Sequence, residues 1–203
     1  MSCIVLYSGG MDSTTLLYML RENDPIAISF DYGQRHSKEL EYAKHHTKKL
    51  GIEHLIIDLP VYKAIRNSAL LRDDVGLPRE QYTEDNQKVT VVPNRNMVML
   101  SVAVAIAEDR EIKDVYFAAH ANDYAVYPDC RPEFVEAISR ASELGTYTRV
   151  RIHAPFVRMT KQQIVKIGRK LGIDYEKTWS CYEGGDEPCG TCPTCRERLE
   201  ALR

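Results

Sequence analysis

Between Cys3 and Pro60, apolar residues come in bursts whose spacing switches between two periods. Cys3–Leu6 is a short apolar run leading into glycines, the pattern of a buried strand. Residues 13–20 carry Leu16, Leu17, Met19 and Leu20 at helical spacing. A second apolar run, 26–30, predicts a strand ending at Asp31-Tyr32-Gly33. Lys38–Leu50 predicts a helix, with Gly51 placed to stop it. Leu55, Ile56 and Ile57 make a third strand, closed by Pro60. The order β-α-β-α-β is that of a parallel sheet with helices on its faces.

The second half is less regular at first. Residues 62–70 are a candidate helix, followed by a polar stretch through Asn86 that reads as a candidate mobile segment or dimer contact. Residues 96–108 are apolar on nearly all sides, which predicts a buried helix. Strands are expected at 115–117 and 150–152, and a helix at 131–143 with Pro132 near its first turn. Thr160 is a candidate cap for a helix running to Leu171, ended by Gly172. The division expected is an α/β domain over 1–178 and a cysteine-rich tail with a short helix over 179–203, joined in one compact unit.

Composition leaves this picture standing and excludes some functions. With 203 residues, 44% hydrophobic and 28% charged, the chain has the makings of one soluble domain. A net charge of −2 argues against a stable nucleic-acid partner, which usually requires a basic excess. The longest apolar stretch, 97–107, is interrupted by Ser101 and too short to span a bilayer. The start of the chain lacks the regions of a signal peptide, so a cytoplasmic protein is expected.

The first candidate chemistry lies where the first strand meets the first helix, in Ser8-Gly9-Gly10-Met11-Asp12-Ser13-Thr14. Adjacent glycines let several backbone N–H groups converge, and the helix N-terminus adds partial positive charge. Hydroxyls of Ser8, Ser13 and Thr14 add donors, so the segment reads as a pyrophosphate cradle. It lacks the Gly-Lys-Ser/Thr of a Walker loop and the third glycine of the dinucleotide fingerprint. The bland alternative is a tight strand-to-helix turn with a polar cap.

The second lies in the tail. Cys181, Cys189, Cys192 and Cys195 have the spacing C-x7-C-x2-C-x2-C. Four thiolates so placed can surround one Zn²⁺, with Gly190 and Pro193 easing the turns; an iron–sulfur cluster is the rival. A full ligand set without an open position reads as structural. Cys3 looks like a small apolar strand residue, whereas Cys130 sits in a polar segment.

Other segments fall beside strand ends, where parallel sheets put their sites. They are 30–36 (Phe30 to His36), 92–96 (Val92 to Asn96), 127–134 (Tyr127 to Phe134) and 178–182 (Thr178 to Tyr182). The glycine loop resembles the PP-loop of the ATP pyrophosphatase superfamily. With the four cysteines and these segments, the chain resembles the 7-cyano-7-deazaguanine synthase family over most of its length, Tyr7 to Arg198. It departs from the family pattern at Ala125 and Val126, where a serine and a glycine are frequent, and at Asn94, where an alanine is.

The resemblance implies a Rossmann-like sheet of the adenine nucleotide alpha hydrolase type, with helices on both faces and a small four-cysteine zinc unit. It implies ATP with Mg²⁺, the small-molecule substrate 7-carboxy-7-deazaguanine, free ammonia and a homodimer. ATP binding is assigned to Tyr7, Ser8, Gly9, Gly10, Met11, Asp12, Ser13, Thr14, Thr15, Leu16 and Leu17. Asp12, Arg95 and Lys161 are the catalytic candidates, and Tyr127, Asp129 and Arg131 the substrate-binding ones. Taken singly, each has a plainer reading: Arg95 and Arg131 as helix-end surface charges, Asp129 as a helix cap, Lys161 as a solvated first-turn lysine, Tyr124 and Tyr127 as packing. Two other functions fit parts of the pattern: a PP-loop tRNA-thiolating enzyme, and a zinc-ribbon interaction module that has lost catalysis.

Overall fold

The computed structural model describes residues 2–34, 38–65, 68–72, 76, 88–123 and 127–203. The polar stretch 77–87 and the positions Tyr124, Ala125 and Val126 lie outside the described residues, as do Arg35 and His36.

Five parallel strands form one sheet in the order β3-β2-β1-β4-β5. They are β1 (Cys3–Leu6), β2 (Pro25–Asp31), β3 (Glu53–Asp58), β4 (Asp114–Tyr116) and β5 (Arg151–His153). β1 and most of β2 are buried throughout, as expected of central strands covered on both faces. Six α-helices are described: α1 (Met11–Met19), α2 (Lys38–Leu50), α3 (Arg95–Asp109), α4 (Pro132–Gly145), α5 (Lys161–Lys170) and α6 (Pro193–Leu202). One core layer gathers Ile4, Ile28, Leu100, Ala103, Val115 and Ile152, and a second gathers Val5, Leu16, Leu17, Ala43, Phe156 and Ile164. The two sets alternate along β1, which is how one strand feeds two helical layers.

Most expected elements are present within a residue or two at each end. Two differ. Around 62–70 the described structure holds a single 3₁₀ turn, Pro60–Ala64, rather than an α-helix. Helix α3 buries only one face, through Met99, Leu100, Ala103 and Ala107, and leaves Met97 42% exposed. Met97, Ser101 and Ala105 are exposed, and Val98, Val102, Val104 and Ile106 are only partly buried against the core.

Helix α5 starts as its sequence says. Thr160 Oγ1 accepts from the Gln163 amide at 3.4 Å, and Gln163 Oε1 accepts from the Thr160 amide at 2.8 Å, a reciprocal capping box. Thr160→Ala is expected to lower stability by about 1 kcal/mol, read from chemical denaturation midpoints. The helix matters because its first residue, Lys161, reaches the site.

The tail is tied back to the sheet domain. Ala201 packs in a cluster with Met11, Tyr18, Val165, Ile173 and Tyr175. Arg198 Nη1 donates to Thr178 Oγ1 at 2.7 Å, and Arg198 also donates to the Tyr175 carbonyl.

Candidate active site and metal centre

The strand order reverses between β1 and β4: from β1 the chain builds outward one way through β2 and β3, and the other way through β4 to β5. A crevice opens at the carboxyl ends of strands at such a point. Here it is a cavity of about 310 Å³, walled by Tyr7 and Ser8 after β1, Tyr32 after β2, His120 after β4 and the starts of α1, α3 and α5.

The glycine loop forms its floor. Gly9 has φ +84°, and a Cβ built on it would lie 2.2 Å from the Glu39 carbonyl oxygen and 2.9 Å from the Ala43 nitrogen of α2. Only glycine permits that approach. The Trp179 amide donates to the Gly9 carbonyl at 3.2 Å, so the segment entering the tail also holds the loop. Ser8 Oγ and Ser13 Oγ are 3.0 Å apart, and the Gly10 amide donates to Ser8 Oγ at 3.2 Å. Gly10 is the N-cap of α1, and among the described residues no side chain caps the helix. The partly positive end of α1 therefore meets the cavity, the arrangement that binds anions.

Of the residues assigned to ATP, Tyr7, Ser8, Gly10, Met11, Asp12 and Ser13 line the cavity. Thr14, Thr15, Leu16 and Leu17 are fully buried beneath it. Thr14 Oγ1 lies 3.2 Å from Tyr7 Oη, and Thr15 Oγ1 donates to the Met11 carbonyl at 2.9 Å. These residues brace the loop.

A charge cluster stands beside α1. Asp12 Oδ2 is 3.4 Å from His120 Nε2 and 3.7 Å from Lys161 Nζ. Lys161 Nζ also donates to Glu197 Oε2 at 3.1 Å, and His120 Nδ1 is 3.5 Å from Asp123 Oδ2. Burial opposes ionisation of Asp12, but the Lys161 and His120 charges outweigh it and bring its carboxyl down to about 2. Burial likewise disfavours the His120 cation, and Asp12 and Asp123 outweigh it, so its pKa is raised. Lys161 is 14% exposed and held firmly charged, so it is no solvated surface lysine. Asp12 Oδ1 is buried and accepts no hydrogen bond among the described residues. A hard cation fits that oxygen.

Across the cavity, Arg95 at the start of α3 donates to Tyr32 Oη at 3.0 Å and lies 5.7 Å from the centre of its ring. Its charge is reinforced by the nearby Tyr32, Tyr127 and Tyr182 hydroxyls and by Glu39. Asp129 does cap a helix, but it is α3: its Oδ2 accepts from the Asn96 amide at 2.8 Å. Tyr127 and Asp129 both line the cavity. Arg131 does not; it is exposed at the N-cap of α4.

Sequence reasoning passed over His120, Asp123, Glu197 and Glu39. His120 and Asp123 follow a strand end, so their place at the crevice was open to inference. Glu39 and Glu197 sit on helices far from the loop in sequence, and nothing local marks them.

The four cysteine Sγ atoms lie within 4.8 Å of one another. A tetrahedron with metal–sulfur bonds of about 2.3 Å has edges of about 3.8 Å, so the set closes on one ion with little movement. The Cys192 amide donates to Cys189 Sγ and the Cys189 amide to Cys181 Sγ, each at 3.3 Å. Such bonds favour thiolates. Trp179, stacked on Tyr42 with centroids 5.9 Å apart, shares this small core.

A parallel sheet whose reversal point carries a glycine loop, an uncapped helix end and facing cations defines a nucleotide-binding α/β protein of the PP-loop kind. The chain is similar in fold to an NMN synthetase from Francisella tularensis, with TM-score 0.54 and 17% identity, over 89% of this chain and 65% of that one. The particular family is clear from sequence: the chain belongs to the family described as Queuosine biosynthesis protein QueC, whose model matches residues 2–203. It is 48% identical over 205 residues to a 7-cyano-7-deazaguanine synthase of Caldicellulosiruptor saccharolyticus, covering all of this chain and 91% of that protein. It is also 48% identical to the 7-cyano-7-deazaguanine synthase of Porphyromonas gingivalis, over 98% of this chain and 91% of the other.

Proposed function

We propose that this chain is an ATP-dependent 7-cyano-7-deazaguanine synthase that turns 7-carboxy-7-deazaguanine and free ammonia into the nitrile. The observation that carries the reading is the convergence of the glycine loop, Lys161 and Arg95 on one cavity, in a chain matched along its length by proteins of that name.

A carboxylate repels nucleophiles and has a poor leaving group. Transfer of AMP to it removes both obstacles. The carboxylate oxygen attacks the α-phosphorus, and pyrophosphate leaves toward the uncapped end of α1 and the Ser8 and Ser13 hydroxyls. Lys161 supplies positive charge on that side, with His120 beside it favoured toward its cation by Asp12, and Arg95 supplies positive charge from another wall of the cavity. Asp12 Oδ1 is the group that would hold Mg²⁺, which shields phosphate charge when bound. Tyr127 and Asp129 are assigned to the deazaguanine ring, whose N–H and amino donors suit a carboxylate. Ammonia displaces AMP to form the amide, and a second adenylation on the amide oxygen opens the way to the nitrile.

The assay contains protein, ATP, Mg²⁺, ammonium and the acid, with mass spectrometry for amide and nitrile and quantitation of AMP. The reading requires nitrile and AMP; metal-replete, folded protein that yields neither would falsify it.

The cysteine centre is assigned to structural Zn²⁺, with the tail as a subordinate unit of one domain. Elemental analysis is expected to find one zinc and no iron per chain. Stripping it with a strong chelator should expose the tail to proteolysis and weaken ATP binding roughly tenfold. The second effect follows from the Trp179 amide, which anchors Gly9 two residues before the first cysteine. Chelation that leaves proteolysis and ATP affinity unchanged rejects this role. Among the described residues no helix is long and apolar enough to cross a membrane. A homodimer remains the expected assembly, to be read by sedimentation.

A further inference from the structure

A lysine ammonium is a point charge on a flexible four-carbon stem, so a fixed backbone does not fix where the charge acts. At Lys161 the backbone is well held: the capping box sets the start of α5, and the Lys161 amide donates to Asn122 Oδ1 at 3.4 Å. The far end of the side chain meets carboxylates from two other helices. Asp12 Oδ2 of α1 lies 3.7 Å from Nζ, and Glu197 Oε2 of α6 accepts from Nζ at 3.1 Å. An ammonium has three donors, so at least one is left for an oxygen in the cavity once both carboxylates are served. Exposed lysine–glutamate pairs contribute little. This pair differs, because the Lys161 side chain is only 14% exposed and both residues line the cavity. Charges in such a place act on each other more strongly than in water.

Glu197 belongs to the face of α6 that meets the rest of the protein. Thr194, Glu197, Arg198 and Ala201 fall at the i, i+3, i+4, i+7 spacing of one helical face. Thr194 Oγ1 donates to the Ser180 carbonyl at 2.7 Å, Arg198 Nη1 donates to Thr178 Oγ1 at 2.7 Å, and Ala201 is buried in the cluster around Met11. Leu199, off that face, is 53% exposed. Contacts on either side of Glu197 along the helix thus fix its backbone, and α6 itself springs from the cysteine centre, with Cys192 as its N-cap.

We infer that Glu197 is a positioning residue of the adenylation site: it fixes the Lys161 ammonium at the cavity for the departing pyrophosphate. This rests on the synthase reading above. It makes the cysteine-rich tail a working wall of the active site as well as a support. Without the Glu197 charge the pull from α6 is lost, and the pull of Asp12 toward α1 remains. The lysine stem then samples more rotamers, and its charge is displaced from where the transition state needs it. A displacement of about 1 Å can cost up to about 100-fold in rate.

Glu197→Gln keeps the size of the side chain and removes its charge. Acid-dependent ATP–pyrophosphate exchange reports the first adenylation alone and can be followed with radiolabelled pyrophosphate. At saturating ATP it is expected to fall about 10- to 100-fold, while the half-saturating ATP concentration changes by less than about threefold. In a Lys161→Met background the same substitution should cost less than about twofold, because the group it positions is gone. Wild-type exchange in Glu197→Gln overturns the assignment. So does an undiminished loss in the Lys161→Met background, or a lower zinc content in Glu197→Gln by elemental analysis, since Glu197 would then act through the fold or the cysteine centre. Wild-type protein without acid-dependent exchange overturns the synthase reading instead, and the role of Glu197 with it.

Discussion

Gly9→Ala is expected to abolish detectable ATP binding and to destabilise the fold by about 3 kcal/mol or more, while Gly10→Ala leaves the fold intact at a cost under about 1 kcal/mol. The two glycines are adjacent and look interchangeable in sequence. At Gly9 a methyl group would meet backbone atoms, 2.2 Å from the Glu39 carbonyl oxygen and 2.9 Å from the Ala43 nitrogen. Backbone in the body of a helix cannot yield as a side chain can, so the loop or α2 must move. The φ of +84° adds strain for any L side chain. At Gly10 φ is −76°, and the nearest atom to a new methyl is Ser8 Oγ at 3.2 Å, the end of a rotatable side chain. Calorimetric titration with ATP and denaturation midpoints on the pair check the contrast. Equal effects from both substitutions would mean that the approach to α2 does not shape the loop.

That pair shows where sequence reading stops. The loop, the strand before it and the helix after it were legible, because phosphate cradles need glycine and hydroxyl residues at such junctions, and the periods of β1 and α1 differ. The cysteine centre was legible from spacing alone. The roles of single residues depended on what lies across space. Lys161 had the plain reading of a solvated lysine; packing α5 beside α1 and α6 places it against Asp12 and Glu197. Asp129 was expected at the substrate, and a cap was its plain alternative; it lines the cavity while capping α3 at Asn96, 33 residues earlier in the chain. Thr15, Leu16 and Leu17 adjoin the loop in sequence, yet helical geometry turns them into the core. Glu39 and Glu197 carry no local signal, since exposed helical glutamates look alike until the fold brings them to a crevice. Apolar content misled at α3, where composition shows how greasy a helix is but not how much of it is covered.

Asp12→Asn should have a large effect on catalysis, because that one carboxylate faces both Lys161 and His120. Its Oδ2 lies 3.4 Å from His120 Nε2 and 3.7 Å from Lys161 Nζ. The amide keeps the shape and removes the charge. Without it His120 loses the main group that raises its pKa, and Lys161 keeps its ion pair with Glu197 but loses the one with Asp12. The cation arrangement facing departing pyrophosphate is thereby loosened, and the oxygen proposed for Mg²⁺ loses its charge. Acid-dependent ATP–pyrophosphate exchange is expected to fall about 100- to 1,000-fold, the range for losing one preorganised charge at a transition state. Stability should change too, with a sign fixed by the pKa. The folded value of about 2 lies below the ordinary 3.8, so ionised Asp12 stabilises the fold above pH ~4, and that contribution disappears as pH falls toward 2. At 1.36 kcal/mol per unit the contribution is ~2 kcal/mol at neutral pH. Wild-type protein should therefore lose about that much relative to Asp12→Asn between pH ~5 and ~2, and the two unfolding curves should converge at the acid end. Parallel curves across that range would show that Asp12 is not held ionised by its neighbours, and the account of the cluster as a preorganised charge array would fall with it.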